Sequence, residues 1–318
     1  MQPPHIRFSG YEGSHAWQHI LQQENLSDDL ATSHLTVSEA DALTVNDFSF
    51  QVIEKSQKER VKEISAFITR HEYLGTDYVY TTNRYGLYLD VPKKTKVLSA
   101  VVTFGSPQKN GLYLGEEHKH RERQLCRGAS ISYAPKNLGS FFISKCIRHL
   151  IYNTDYRVFN SFATEEANEI GQIYSASNFF YVGTQSSPGG LYEYLDPDAP
   201  EKGFRTSRAF RQRSSYLKYA KQLGIEVKPE WFEVYQEENR SKRINWNNVY
   251  WKDEERIKKA ASEKIKSCAM RRVKPKHRFV YVGGRGRVET KVLRKLFLKR
   301  NEVFPYPKRS QMALMGDR

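Results

Sequence analysis

Three side chains that can carry protons stand together at residues 71–73, after an amphipathic segment. The imidazole of His71 titrates near neutral pH, and Glu72 or Tyr73 could orient it or pass a proton onward. The alternative is structural, because a histidine at a helix end often satisfies carbonyl groups that the last turn leaves free. On spacing alone, the structural interpretation of His71 is favoured.

Arg127 is a second candidate, since its planar, always-charged guanidinium could hold an anion. A structural ion pair explains the same residue equally well. The preceding Cys126 would become a nucleophile if Arg127 lowered the pKa of its thiol. No base is identifiable near it, so Cys126 is interpreted as a small buried residue.

A loop that delivers the chain into a helix is a candidate anion site. Residues 129–134 (ASISYA) have strand composition, and Asn137 and Gly139 interrupt it. Ser140 is predicted as the N-cap of the helix that follows. Free N–H groups and the helix dipole at that end favour a phosphate, a pyrophosphate or an acyl oxyanion. The predicted donor-binding residues are Asn137, Leu138, Gly139 and Ser140.

A polar group follows the second strand of this region. A helix predicted over 169–178 places Tyr174 and Asn178 one turn apart on one face. Glu165, Glu166 and Glu169 lie beside it in sequence. A solvated acidic loop is the alternative for the first two.

Positive charge is abundant and clustered in this chain. It carries 51 Lys and Arg against 36 Asp and Glu, a net charge of +15, with 13% aromatic residues. Basic clusters with interleaved rings suggest a polyanionic partner, double-stranded DNA in the simplest case. For each run alone, a solvated surface is the alternative. The predicted DNA-binding residues are Arg205, Arg208, Arg211, Arg213, Lys276, His277, Arg278, Arg285, Lys308 and Arg309.

Hydrophobic periodicity predicts the elements that position these residues. Strands are predicted at 48–54, 85–91, 97–104, 129–134, 156–163 and 278–282. Helices are predicted at 16–23, 36–43, 55–69, 140–150, 169–178, 204–221, 253–268 and 290–300. A hairpin turn is predicted at 92–96, and a long connection at 184–203.

The three cysteines are odd in number and widely spaced. This pattern indicates a reducing compartment and favours neither a disulfide framework nor a zinc site. No apolar run has membrane-spanning length, and the N-terminus lacks a signal-peptide pattern. We therefore expect no membrane partner and no metal.

Six segments carry a resemblance to a known family: RHEYLG at 70–75, CRGASISYAPKNLGSFFIS at 126–144, EIGQIYSASNFFYVG at 169–183, RTSRAFRQR at 205–213, KHRFVYVGGR at 276–285 and PYPKR at 305–309. Their order and spacing, over residues 48–309, resemble the Mom family of phage and mobile-element DNA-modification proteins. The ordered set is more specific to the family than to one reaction.

The resemblance implies an acyltransferase fold of the GNAT type and a group transfer to DNA, which in the founding member places a carbamoylmethyl group on adenine N6. The residues that match the family's site are His71, Tyr73, Arg127, Gly139, Ser140, Tyr174 and Asn178. The donor would be acyl-CoA or another activated acyl or aminoacyl compound, free or carrier-bound. The protein would act in the cytoplasm of a bacterial host cell.

Two departures from the family pattern concern carboxylates. Thr164-Glu165 stands where family members often carry Asp-Pro, so a carboxylate there is missing or supplied by Glu165 or Glu166. Glu72 is inserted between His71 and Tyr73. Both bear on the identity of the transferred group.

These observations predict an α/β protein with a GNAT-like mixed central sheet, helices on both faces and an α-rich basic insertion. The expected parts are an extension (1–47), a catalytic core (48–203), the insertion (204–275) and a returning strand and helix (276–318). We expect a DNA-base modification enzyme in which His71, helped by Glu72 or Tyr73, takes a proton from the attacking amine. The alternatives are an N-acyltransferase for a protein or small amine, and a DNA-binding protein without activity.

Overall fold

Residues 15–77, 81–90, 96–107, 113–185, 191–232 and 244–308 are described by the computed structural model. The chain divides into two units, one of residues 1–186 with 274–318 and one of residues 187–273. The strands are β1 Phe48–Ile53, β2 Thr81–Leu89, β3 Val97–Gly105, β4 Glu122–Ser130, β5 Val158–Thr164, β6 Phe180–Gln185, β7 Leu191–Leu195, β8 Phe204–Thr206, β9 Ala269–Val273 and β10 Lys276–Val282.

The helices of the described residues are α1 Trp17–Ser33, α2 Val37–Asp41, α3 Lys58–His71, α4 Leu138–Asn153, α5 Gln172–Ala176, α6 Arg213–Gln222, α7 Trp251–Lys266 and α8 Arg287–Arg300. None of them is long and apolar enough to cross a membrane. Helix α2 shows how local sequence sets a boundary. Its N-cap Thr36 and Glu39 form a reciprocal capping box that satisfies two free N–H groups.

A seven-stranded mixed sheet organises the first unit, in the order β1-β2-β3-β4-β5-β10-β6. Neighbouring strands are antiparallel except β4 and β5, which are parallel. The sheet and its helices share a core that includes the fully buried rings of Phe104, Phe159 and Phe279. The predicted α/β class, with a mixed central sheet flanked by helices, is confirmed.

Strands β4 and β5 pair over a short stretch and then separate. The paired positions run from Glu122 opposite Val158 to Gln124 opposite Asn160. Beyond these positions, the two strands no longer pair with each other. On its other side, β4 carries a bulge at Cys126, between the residues that pair with Thr103 and Phe104 of β3. A bulge adds an unpaired residue and re-aims the side chains that follow, so Arg127 lies on the diverging half of β4.

Helix α4 packs an apolar stripe against this sheet. Leu138, Phe142, Cys146 and Leu150 are all buried on its inner side. Each fully buried apolar side chain of this size contributes about 1.5–3 kcal/mol of transfer free energy. The helix begins after Asn137, whose φ of 69° is left-handed. Asparagine tolerates this conformation better than most residues.

The second unit, residues 187–273, has its own sheet and core. Strands β8, β7 and β9 pair in that order. Helices α6 and α7 pack through a cluster that contains Tyr219, Trp231 and Ile257. Lys264 lies 2.6 Å from Asp196 and 2.7 Å from Asp198, which fixes α7 against the turn after β7.

Several predicted elements differ from the observed ones. The strand predicted at 129–134 is wrong, because β4 ends at Ser130 and residues 131–134 form a turn closed by the Ala134 N–H on Ile131 O. The sequence did not predict the first half of β4, because the strand begins with polar residues. Its Glu122 is buried and accepts a hydrogen bond from the backbone N–H of Tyr113 at 3.0 Å. Ser140 is not an N-cap, since its hydroxyl donates to the Asn137 carbonyl within the first turn.

Other corrections concern lengths. The connection predicted at 184–203 contains β7, which packs as a central strand of the small sheet. The helix predicted at 204–221 is a strand, a single turn and α6, and the helix predicted at 169–178 shrinks to α5. Most of the turn predicted at 92–96 lies outside the described residues.

Candidate active site

A cluster of titratable side chains lies at the opening between β4 and β5. Glu72 and Tyr73 enter it from the end of α3, and Arg127 enters from β4. Tyr174 enters from α5 and shares a side-chain hydrogen bond with Ser161 of β5. The predicted residues Glu72, Tyr73, Arg127 and Tyr174 are therefore brought together.

Glu72 is a buried carboxyl with a strongly raised pKa. It is the first residue after α3 and only 6% exposed. Burial raises its pKa to about 7, although Arg127 and the N–H groups of Leu74 and Gly75 oppose the rise and Glu169 adds to it. Its Oε2 accepts the Leu74 N–H at 3.0 Å and lies 3.8 Å from Arg127 Nε. A carboxyl with a pKa near neutrality can accept and return a proton under physiological conditions.

The guanidinium of Arg127 is fixed from two directions. Its Nε donates to the Thr76 carbonyl at 2.8 Å, and its Nη1 donates to the Cys126 carbonyl at 2.7 Å. It is a half-buried, positioned cation beside a carboxyl whose charge varies. Burial raises the pKa of the neighbouring Cys126 thiol to about 12, so this cysteine is not an activated nucleophile.

The two tyrosines of the cluster are neutral hydrogen-bonding groups at physiological pH. Burial raises the pKa of Tyr174 to about 12 and also raises the pKa of Tyr73. Tyr73 shares a side-chain hydrogen bond with Thr164, at the end of β5. Tyr174 packs against Phe179 and Phe279, with ring centroids 5.4 and 5.1 Å apart. Both phenols can therefore donate to an anion without ionising.

His71 faces a different environment from Glu72. Its ring packs at a tilt against Phe67, with centroids 4.2 Å apart, and its Nδ1 lies 3.6 Å from Asp29 Oδ2. Burial lowers the pKa of His71, against the opposing effect of Asp29. The carboxylate that faces the ring is Asp29, whereas the carboxyl of Glu72 faces Arg127. A neutral imidazole with a lowered pKa is a weak proton acceptor.

The remaining polar residues of this region are dispersed. Asn178 is exposed and has a φ of 60°, which suits the turn after α5. Glu165 points to His277, with Oε1 and Nε2 3.0 Å apart. Thr164 stands where family members often carry the Asp of Asp-Pro, and it shares a side-chain hydrogen bond with Tyr73.

A groove of about 760 Å³ opens at the N-terminal end of α4. Asn137 and Ser140 line it, together with the loop before α4 and the segment around α2. Leu138 is buried in the core and does not face the groove. A Cβ on Gly139 would lie 2.7 Å from the end of the Ile173 side chain, so glycine lets α5 approach. Two of the four predicted donor-binding residues thus line a cavity.

The predicted DNA-binding residues fall into three groups. Arg208, Arg211 and Arg213 are exposed in the second unit, whereas Arg205 there pairs with Asp196 at 3.3 Å. His277 is buried and bonds Tyr181 Oη through Nδ1 at 2.8 Å, and Arg278 donates to the Val182 carbonyl. The exposed residues of the first unit are Lys276, Arg285 and Lys308. Arg309 lies outside the described residues.

Sequence reasoning missed several residues that shape the cluster. Gln18 and Asp29 belong to α1, to which no chemistry was assigned. Gln18 bonds the backbone of residues 71 and 73, and Asp29 accepts from Arg70 and Ser132. Both are long-range contacts, and no local pattern indicates them.

Known proteins resemble this chain in part. The structure of spermidine N-acetyltransferase from Vibrio cholerae with CoA and spermine matches with 8% identity and a TM-score of 0.31, over 44% of this chain and 85% of that one. AAC(6')-Ib with ribostamycin and coenzyme A matches with 13% identity and a TM-score of 0.30, over 45% and 89%.

A tandem GNAT protein from the clavulanic acid biosynthesis pathway matches with 10% identity and a TM-score of 0.31, over 68% and 65%. These TM-scores are low, so the fold description rests on the strand order and pairing above. No curated protein matches the chain.

The family model of the Mom protein family matches residues 52–196. This segment contains Glu72, Tyr73, Arg127 and Tyr174, and it runs from β1 through the whole β4–β5 opening. The resemblance inferred from the sequence is confirmed over this segment, which is a little under half of the chain.

Proposed function

We propose that this protein modifies DNA by transferring a carbamoylmethyl or other acyl-type group to an exocyclic amine, with adenine N6 as the expected acceptor. The match of residues 52–196 to the Mom family model supports DNA as the substrate class. The buried Glu72 beside Arg127 is the observation that supports catalysis. Carboxyls with strongly shifted pKa values cluster at functional sites, so a pKa of about 7 at Glu72 favours an enzyme over a DNA-binding protein without activity.

The proposed reaction needs a proton acceptor at the amine. The amine nitrogen attacks the donor carbon, the bond from that carbon to its leaving group breaks, and the leaving group keeps the electron pair. The N–H proton passes to Glu72. Arg127 and the neutral phenols of Tyr73 and Tyr174 stabilise the negative charge that develops on the donor. The base must leave the helical stack to reach a cluster this buried.

The groove before α4 is the proposed donor site. Its volume of about 760 Å³ suits a small-molecule donor. Ser140 lies in the first turn of α4, where helix N–H groups and the helix dipole favour phosphate. An acyl-CoA, or another activated acyl or aminoacyl donor with phosphate groups, fits this chemistry.

Two exposed basic surfaces are the proposed DNA contacts. One is formed by Arg208, Arg211 and Arg213 of the second unit. The other is the exposed side of α8, where a basic residue recurs every four positions: Arg287, Lys291, Lys295 and Lys299. Residues four apart lie on one helix face. None of these four makes an ion pair with an acidic residue within the described part of the chain, so the row is available to phosphates.

Mass spectrometry of nucleosides tests the proposal. DNA is taken from cells that express the wild-type chain or its Glu72→Gln variant, and all protein is recovered in parallel. A new modified nucleoside that depends on Glu72 is the expected result. Acylated protein with unmodified DNA would instead indicate an N-acyltransferase for protein amines. DNA binding with neither product would indicate a binding protein without activity.

A further inference from the structure

We propose that Gln18 of α1 is a positioning residue that fixes Glu72 for catalysis, which rests on the function proposed above. Its side-chain amide spans the residue it positions. Nε2 donates to the His71 carbonyl at 2.6 Å, and Oε1 accepts from the Tyr73 N–H at 3.2 Å. Glu72 lies between these two anchored peptide groups.

The two hydrogen bonds of Gln18, called the clamp below, matter because of where Glu72 lies. Helix α3 ends at His71, and Glu72 is already extended, with φ −111° and ψ 134°. The last carbonyl groups of a helix lack partners within it, and helix ends fray. Gln18 satisfies the carbonyl of His71 and the N–H of Tyr73 together. The direction of the Glu72 side chain is therefore set by a contact from another helix.

Helix α1 also contacts the same segment elsewhere. Asn25 donates to the Arg70 carbonyl at 3.1 Å, and Asp29 pairs with the Arg70 guanidinium at 3.0 Å. The ring of Trp17 packs edge-on against Tyr73, with centroids 6.0 Å apart. Residues 70, 71 and 73 are thus each held by α1, and Glu72 lies between two of them.

The same helix also holds the end of β4. Gln22 donates to the Ser130 hydroxyl at 3.3 Å, and Asp29 accepts from the N–H and hydroxyl of Ser132 at 3.0 and 2.6 Å. Helix α1 therefore ties the strand that carries Arg127 to the segment that carries Glu72. Helix α1 precedes residues 52–196, so these contacts are made by a helix outside the segment that the family model matches.

Gln18→Met tests the clamp, because Met keeps the length of the side chain and removes both hydrogen bonds. Gln23→Met is the control. Gln23 lies on the same helix, is exposed, and contacts His19 of its own helix at 3.2 Å. Three measurements are made on the full chain: exchange of the Tyr73 amide hydrogen, the pKa of Glu72 by NMR, and the steady-state kinetics (kcat and KM) of DNA modification.

In Gln18→Met we expect Tyr73 amide exchange to accelerate at least tenfold, since its acceptor is lost. We expect the pKa of Glu72 to fall towards 4.5 as the carboxyl reaches water. We expect kcat to fall about tenfold or more with an unchanged KM for DNA, because misplacement of a reacting group mainly costs rate. Gln23→Met should leave all three at wild-type values.

Unchanged Tyr73 exchange and an unchanged pKa of Glu72 in Gln18→Met would overturn the clamp. Faster exchange with a wild-type kcat would overturn its role in catalysis. If Gln18→Met does not fold, Gln18→Glu is the second variant, since it keeps the acceptor for Tyr73 and loses the donor to His71. If the wild type modifies no DNA, the proposed function fails, while the exchange and pKa measurements still decide whether Gln18 holds Glu72.

Discussion

The carboxylate of Glu72 lies 3.8 Å from Nε of Arg127, which joins the end of α3 to the half of β4 that has separated from β5. The cation is anchored by two backbone carbonyls, and the carboxyl is almost excluded from water. Arg127 alone does not compensate the burial, so the pKa of Glu72 remains raised to about 7. The pair therefore keeps a carboxyl that binds and releases a proton near physiological pH.

Glu72→Gln should stabilise the protein at high pH. The folded pKa of about 7 is above the ordinary value of 4.5, so ionising Glu72 opposes folding as pH rises from 4.5 to 7. By the size of that shift, the variant gains up to about 3 kcal/mol above pH 7 and nothing below pH 4.5. Urea unfolding at pH 4.5 and pH 8 measures this.

Glu59→Gln is the matched control, because Glu59 lies on the same helix and its side chain is 84% exposed. It should change stability little at either pH. Equal stabilisation by both variants, or none by Glu72→Gln at pH 8, would contradict the raised pKa.

His71→Gln should alter acid stability and leave catalysis nearly intact. Burial lowers the folded pKa of His71 below its ordinary value of 6.5. The unfolded chain therefore takes up the proton first, and stability is lost as pH falls below 6.5. Removing the imidazole should make the unfolding free energy less dependent on pH in that window. Thermal unfolding at pH 5 and pH 7 measures this. If the variant loses as much stability between pH 7 and pH 5 as the wild type, the lowered pKa of His71 is refuted.

The regular parts of this fold follow from the sequence, as α3 illustrates. Its buried residues Ile64, Phe67 and Ile68 recur at helical spacing, and the predicted helix lies within three residues of the observed one. Strand β4 was misplaced because its buried Glu122 and half-buried Arg123 resemble loop residues until their partners are known.

The site was only partly predictable. The grouping of residues 71–73 was visible, but which of the three faces Arg127 depends on the chain turning at Glu72. His277 looked like part of a basic run, and its burial between Tyr181 and Glu165 requires the pairing of β10 with β5 and β6. Gln18 acts across 53 positions of sequence, beyond the reach of any local pattern.

Replacing Ser140 with Asp should separate donor binding from stability. A carboxylate in the first turn of α4 favours the helix by about 0.3–1 kcal/mol through the helix dipole. The same charge would repel the phosphate groups of a donor in the groove. We expect coenzyme A binding, followed by calorimetry, to weaken at least tenfold in Ser140→Asp while the melting temperature is kept or rises. Ser140→Asn is the neutral control. Unchanged coenzyme A binding by Ser140→Asp would exclude this groove as the donor site.

The basic face of α8 should contribute to the salt dependence of DNA binding. Each phosphate neutralised adds about 0.9 to the slope of log affinity against log salt. Lys291→Gln with Lys295→Gln should lower that slope by about 2, and replacing Arg208, Arg211 and Arg213 with Ala should lower it by about 3. Lys62→Gln, on a residue already paired with Glu59 at 2.9 Å, is the control. An unchanged slope would exclude the altered surface from the DNA interface.

The most direct test of the catalytic assignment is the pH dependence of DNA modification, measured as the rate at which the modified nucleoside forms at saturating donor. The wild-type rate should fall as pH drops below about 7, where Glu72 takes up a proton. Glu72→Gln should lose ~10²–10⁴-fold in rate and show no such acid limb. His71→Gln should keep both the rate and the limb. A fully active Glu72→Gln protein, or loss of the limb in His71→Gln alone, would contradict the assignment of Glu72 as the proton acceptor.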